Sequence, residues 1–153
     1  MEIRALLPAD REPWCRLRQL LWPDLSDGEN QNDLADILED PTHNAVFVAA
    51  LPGGELAGFV EASLRKWAEG CSTSPVGYIE GWYVQPEHRL AGVGGRLIQA
   101  AEDWARAQGC TEMGSDAEDW NEISHAAHLA LGYTEATRLV CFSKQIGGRA
   151  GGA

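Results

Sequence analysis

Residues 84–98 read VQPEHRLAGVGGRLI, and three glycines, Gly92, Gly94 and Gly95, fall within four positions of that stretch. The run before it, Val76 to Val84 (VGYIEGWYV), is aromatic and β-branched, which predicts a strand. The run after it, Val93 to Gln108, sets Val93, Leu97, Ala100, Ala101, Trp104 and Ala105 on one apolar stripe at helical spacing, and Gly109 stands where a helix C-terminal cap belongs. Strand, glycine turn and helix in immediate succession frame a layered α/β fold.

Glycine lets backbone N–H groups turn toward a ligand with no Cβ in the way. The first N–H groups of a helix have no internal acceptor, and the helix dipole adds partial positive charge there. Phosphate binds naturally at such a place. The pattern here is Arg89-x-x-Gly92-x-Gly94. It is not G-x-x-x-x-G-K-S/T, and it lacks the G-x-G-x-x-G spacing and following acid of a dinucleotide fingerprint.

The remaining elements follow from periodicity and punctuation. Ile3–Leu6 is a first strand. Pro13 opens a helix carrying Trp14, Leu17 and Leu21, which ends at Trp22-Pro23. A short acidic helix is expected over Gln31–Glu39, then strands over Ala45–Leu51 and Leu56–Leu64 about the Pro52-Gly-Gly54 turn. A short strand at Thr111–Ser115, a helix over Glu122–Leu131 and a last strand over Thr134–Ser143 complete the order β-α-α-β-β-β-α-β-α-β. That is an α/β fold with a mixed sheet, hairpins in its first half and crossovers in its second. We expect one domain over residues 1–146 and a disordered glycine-rich tail over 147–153.

Charge narrows the function. The chain carries a net charge of −11, which repels nucleic acid, since phosphate binding needs clustered Lys and Arg. Asp24 to Asp40 holds seven acids and no basic residue, and Glu112 to Glu122 holds five more. These are either solvated faces or the lining of a pocket for a polycation. No apolar run approaches the ~20 residues of a membrane span, and the N-terminus lacks a signal peptide's basic start and apolar core, so the cytoplasm is expected. The four cysteines are scattered without zinc spacing, and no metal site is expected.

Three pieces, YIEGWYV, RLAGVG and the run from Asn121 through His128 to Gly132-Tyr133, together resemble the GNAT superfamily of acetyl-CoA-dependent N-acetyltransferases. The resemblance implies a GNAT-type, mostly antiparallel sheet flanked by helices, with acetyl-CoA as co-substrate. It implies that the amides of Leu90, Ala91, Gly92, Val93, Gly94 and Gly95, behind Arg89, hold the pyrophosphate. Trp82, Tyr83 and Val84 would pair with the pantetheine arm, Val84 N–H would polarise the thioester carbonyl, and Asn121 would lie beside the cofactor. Many members carry a tyrosine seven residues after that Asn to protonate the leaving thiolate; here the position is His128.

Arg18-Gln-Leu-Leu-Trp-Pro23, Glu80-Gly81 and Gly114-Ser-Asp116 further resemble aminoglycoside 6′-N-acetyltransferases. On that basis Glu80 is expected to contact the acceptor and act as general base, because the attacking amine must lose a proton. Asp116 is expected to orient the sugar amine, and Trp22 and Trp67 to wall the sugar pocket. Each has a plainer alternative: an edge-strand charge for Glu80, a turn residue for Asp116, core aromatics for the two tryptophans, a satisfied structural imidazole for His128. A homodimer is implied by the same likeness. Two other functions compete, acetyl transfer to another amine (a polyamine or peptide N-terminus) and a non-catalytic coenzyme A sensor.

Overall fold

The structure, a computed structural model, describes residues 1–148. Five strands form one sheet in the order β1-β2-β3-β4-β5, where β1 is Glu2–Ala5, β2 Asn44–Ala50, β3 Leu56–Arg65, β4 Val76–Val84 and β5 Met113–Ser115. The first four pair antiparallel with their neighbours, and β5 pairs parallel with β4. Four α-helices flank the sheet: α1 Arg11–Leu21, α2 Asp27–Glu39, α3 Val93–Ala107 and α4 Glu122–Ala130. The expected mixed, mostly antiparallel α/β sheet is therefore present.

Strand alternation divides the core between two faces. Ala49, Ala57, Val60, Ala62 and Ile79 pack against Val93, Leu97, Ile98 and Ala101 of α3. On the other face Val46, Val48, Ala50, Leu56 and Phe59 meet Trp14 and Leu17 of α1 and Leu34 of α2. Most of β3 is buried on both faces, as its apolar run LAGFV requires of a central strand. The parallel β5 follows from the crossover through α3, which a two-residue turn could not make.

Two expectations need correction. The acidic helix starts at Asp27, four residues before the expected Gln31. Ser26 caps it: Glu29 N–H donates to Ser26 Oγ at 3.2 Å, and Ser26 N–H donates to Glu29 Oε2 at 2.9 Å. This reciprocal pair satisfies two orphan donors and fixes the start. The last strand, Thr134–Ser143, does not form. A strand needs a ladder, and among the described residues this segment has no backbone partner in the sheet. It leaves Leu139, Val140 and Phe142 exposed, as is Ile146 just beyond it. Of the expected disordered tail, Gly147 and Gly148 are described and exposed, and residues 149–153 lie outside the described residues.

Candidate active site

The site forms around β4, and its two sides differ in material. On the first side the backbone supplies the binding groups. Gln85 N–H donates to Ala57 C=O at 2.8 Å. Inward and outward residues alternate along an antiparallel ladder, so Val84, opposite Gly58, and Trp82, opposite Val60, turn their N–H groups away from β3. The parallel pairing with β5 stops at Ile79 and Ser115, so among the described residues no strand covers Trp82 to Val84 on that side. Val84 C=O is taken by Arg89 Nε at 2.8 Å, which draws the following loop back against the strand. The Arg89 guanidinium also stands 5.6 Å from the Tyr83 ring centroid.

The loop itself enters left-handed conformation twice, at Leu90 (φ 61°) and Gly92 (φ 77°). The first bond inside α3 runs from Arg96 N–H to Gly92 C=O at 3.1 Å. The amides of Leu90, Ala91, Gly92, Val93, Gly94 and Gly95 thus find no backbone acceptor among the described residues. Gly94 is required for packing, since a Cβ there would lie 2.9 Å from Cζ2 of Trp82. The Trp82 indole N–H beside it is buried without an acceptor among the described residues, a costly state unless a ligand completes it.

On the second side, charged side chains line a cleft of about 710 Å3. Asp24, Glu29, Asp33, Asp36 and Glu80 border it, together with the buried Glu61, Trp22 and a single basic side chain, Arg18. Glu29, Asp33 and Asp36 recur at three- and four-residue spacing, which puts them on one face of α2.

Each guanidinium nitrogen of Arg18 has a partner. Its Nε donates to Asn30 Oδ1 at 2.8 Å, one terminal nitrogen to buried Glu61 and the other to Asp33 Oδ2 at 2.9 Å. Its guanidinium also lies 4.7 Å from the Trp22 ring centroid. Trp22 is held over Gly81, where a Cβ would stand 2.5 Å from the indole. Burial pushes the Glu61 carboxyl above the usual range, while Arg18 and the Trp14 indole N–H pull it down.

Glu80 sits at a β-bulge. Glu61 faces Gly81 and Ala62 faces Ile79, so Glu80 has no partner across the ladder. Its carboxylate receives Ser63 Oγ–H at 2.6 Å and both Nε and Nη2 of Arg65 at 2.8 Å. Arg65 in turn stacks 3.5 Å from the Tyr78 ring centroid, and Tyr78 OH donates to Asp116 Oδ2 at 2.8 Å. Burial, then the Asp116 hydrogen bond and charge, push the Tyr78 phenol far upward, so it remains a donor. Glu80 and Asp116 therefore belong to one polar chain across β3, β4 and β5.

Not every expected residue joins the cleft. Trp22 and Glu80 line it, whereas Asp116 and Trp67 do not; Trp67 lies in the β3–β4 loop, 66% exposed. Asn121 is the N-cap of α4, its Oδ1 accepting from Ser124 N–H at 3.1 Å. His128 stands edge-on to Trp82, ring centroids 5.4 Å apart, and its Nε2 is 2.7 Å from Ser115 Oγ. Sequence reasoning missed Glu61, Arg65 and Ser115. Asp33 and Asp36 belonged to the acidic run already noted, and their i, i+3 spacing was the available signal.

The acetyltransferase (GNAT) family model matches residues 14–133. The chain belongs to the GNAT acetyltransferase family. It is 42% identical over 146 residues to an aminoglycoside N(6′)-acetyltransferase type 1 of Klebsiella aerogenes, covering 94% of this chain and 96% of that protein. A second such enzyme, from Stenotrophomonas maltophilia, is 43% identical over 92% of this chain and 90% of its own. Among solved structures, AAC(6′)-Iy in complex with the bisubstrate analogue CoA-S-monomethyl-acetylneamine superposes with a TM-score of 0.87 at 38% identity, covering 94% of this chain and 97% of that one. The apo AAC(6′)-IG of Acinetobacter haemolyticus gives a TM-score of 0.88 at 38% identity, covering 96% and 100%.

For a GNAT enzyme, the features on the backbone side of β4 fit acetyl-CoA. Six free amides at a helix N-terminus suit a pyrophosphate, and the uncovered strand edge suits an extended, amide-bearing arm. The buried indole N–H of Trp82 supplies one more donor.

Proposed function

We infer that this chain transfers the acetyl group of acetyl-CoA to the 6′-amino group of aminoglycoside antibiotics, which in a bacterium confers resistance. The observation that carries the reading is the position of Glu80. It closes the carboxylate-lined cleft and lies on the same strand as the uncovered edge at Trp82–Val84. A polycation on one side and a thioester on the other would meet there. The near-full-length likeness to aminoglycoside N(6′)-acetyltransferases supports the same acceptor.

The loop amides from Leu90 to Gly95 hold the pyrophosphate, and Trp82, Tyr83 and Val84 guide the pantetheine arm, with Asn121 at the neighbouring helix cap. Of the two outward amides, that of Trp82 is nearer Glu80 and is better placed than Val84 to polarise the carbonyl. Acetyl-CoA supplies the activated acyl group.

Carboxylates of the cleft hold the ammonium groups of the acceptor, and Trp22 forms a wall for its sugar rings. Glu80 has about four lone-pair sites, of which Ser63 and Arg65 occupy three. The remaining site on Oε2 accepts an N–H of the 6′-ammonium and takes its proton, directly or through water. Asp116 acts at longer range, through Tyr78 and Arg65, which makes it a positioning residue. Trp67, outside the cleft, contributes through its loop to the far end of the acceptor.

The chain works as one domain over residues 1–146, in the cytoplasm, without nucleic acid or membrane as a partner. Among the described residues no helix is long and apolar enough to cross a membrane. It acts as a homodimer: Ile123 and Leu129 of α4, with Leu139, Val140, Phe142 and Ile146, expose an apolar surface that a second copy would cover.

The test is a matched pair of aminoglycosides that differ only in an amine or a hydroxyl at the 6′ position. Thiol release should accompany the 6′-amine alone, with the new acetamide located there by NMR. Equal rates on both compounds would overturn the reading, and a faster rate on a linear polyamine would move it to another amine.

A further inference from the structure

Ser115 has no part in the mechanism above, and its hydroxyl occupies a special place. It is the last residue of β5 to pair with β4, opposite Ile79. Glu80 follows Ile79 directly, and beyond it no described strand covers the edge of β4. The hydroxyl therefore stands at the closed end of that edge, where β4 and β5 part.

The only side-chain partner of Ser115 Oγ among the described residues is Nε2 of His128, at 2.7 Å. The other ring nitrogen of His128 lies 2.7 Å from the Ser124 carbonyl oxygen and, at the longer distance of 3.3 Å, from Ser124 Oγ, which can accept from it as well. A carbonyl only accepts, so Nδ1 carries a hydrogen. In the neutral ring Nε2 is then an acceptor, and the Ser115 hydroxyl points its hydrogen at it. In the imidazolium both nitrogens donate: Nε2–H points at Ser115 Oγ, and the hydroxyl hydrogen is turned away from the ring. Trp82 and Tyr133 hold the ring edge-on at 5.4 and 5.6 Å between centroids, so its two nitrogens keep these partners.

We propose that Ser115 delivers the proton to the departing coenzyme A thiolate, and that protonated His128 is the source of that proton. The inference rests on the acetyl-transfer reading. The amine nitrogen forms its bond to the acyl carbon, and the carbonyl electron pair moves to oxygen. As that pair returns, the C–S bond breaks and its electrons go to sulfur. Sulfur takes the hydrogen of Ser115 Oγ while Nε2–H of His128 passes to the same oxygen, which leaves the serine neutral and His128 as its Nδ1–H tautomer. The 6′-ammonium loses two protons through Glu80, one before attack and one from the adduct, and His128 regains one from solvent, so the cycle closes with one amide, one thiol and one proton released. His128 thus acts through the Ser115 hydroxyl, as its proton source.

The experiment compares Ser115→Ala, Ser115→Thr, His128→Gln and the double Ser115→Ala/His128→Gln with the unaltered chain, measuring kcat, both KM values, the solvent deuterium isotope effect and thermal stability. The expected result is a roughly tenfold or greater fall in kcat for Ser115→Ala, with both KM values and stability retained and the isotope effect reduced. Ser115→Thr, which keeps the hydroxyl, should recover most of kcat. The double variant should be no slower than His128→Gln alone, as for two groups acting in series. Wild-type kcat and isotope effect in Ser115→Ala would overturn the relay. So would losses confined to stability or KM, which would make Ser115 a structural partner of the ring. If the unaltered chain releases no thiol with any 6′-amine, the acetyl-transfer reading falls, and the relay with it.

Discussion

The two sides of β4 offer opposite charges with opposite materials, partial positive charge from backbone amides on one and carboxylates on the other. Toward the glycine loop, the groups we propose for phosphate are backbone amides whose positions are fixed by dihedral angles, at Leu90 and Gly92 above all. Toward α1 and α2, the groups we propose for a polycation are carboxylates drawn from distant segments, from Asp24 to Glu80. The first arrangement needs little support, because a helix start leaves amides free by construction. The second needs an internal brace. Arg18 ties Glu61 on β3 to Asn30 and Asp33 on α2 and lies against Trp22. Without that cation, six carboxylates around one cleft would repel one another.

The brace offers the largest effect by which this contrast can be broken. Arg18→Met leaves Glu61 buried and unpaired, which should cost about 3–5 kcal/mol of stability, read as a lower urea midpoint. Arg18→Met/Glu61→Leu should recover most of it. In the single variant burial keeps the Glu61 carboxyl raised above its unfolded value, so the native state binds that proton more tightly. The deficit should therefore be largest at neutral pH and shrink as pH falls.

Next in size is Glu80→Gln, which removes the proposed base. Its kcat/KM for a 6′-amine should fall about 100-fold, while the affinity for coenzyme A stays unchanged in calorimetry. Gly92→Ala acts on the other side. The left-handed position (φ 77°) penalises any Cβ by roughly 1–2 kcal/mol, so coenzyme A should bind about tenfold more weakly and the aminoglycoside as before. The smallest effect belongs to the exposed rim. Asp36→Asn should cost under about 1 kcal/mol in acceptor binding and mainly lessen its dependence on salt, measured by calorimetry at low and high ionic strength.

The same contrast explains what the sequence made legible. The loop side was readable because its determinants are contiguous: strand, Arg89, three glycines and helix follow one another. The loop amides without a backbone acceptor and the strand edge at Trp82–Val84 follow from that contiguous order. The cleft side assembles residues 43 positions apart, as in Arg18 with Glu61, and no local pattern announces such a pair. Glu80 was readable as an acid within an apolar strand, but its bulge and its bond to Arg65 were not. Ser26 and Glu29 did carry a capping-box signal for the true start of α2, obscured by Gly28 in its first turn. Over Thr134–Ser143, composition pointed to a strand, yet strand propensity expresses packing against neighbours, and the sheet of this chain offers that segment none.

The most direct test is a calorimetric titration of coenzyme A and of a 6′-amino aminoglycoside into Glu80→Gln and into Gly92→Ala. A double dissociation is expected: the first variant binds coenzyme A normally and the aminoglycoside poorly, and the second does the reverse. Parallel losses of both ligands in either variant would contradict the division of the site along β4.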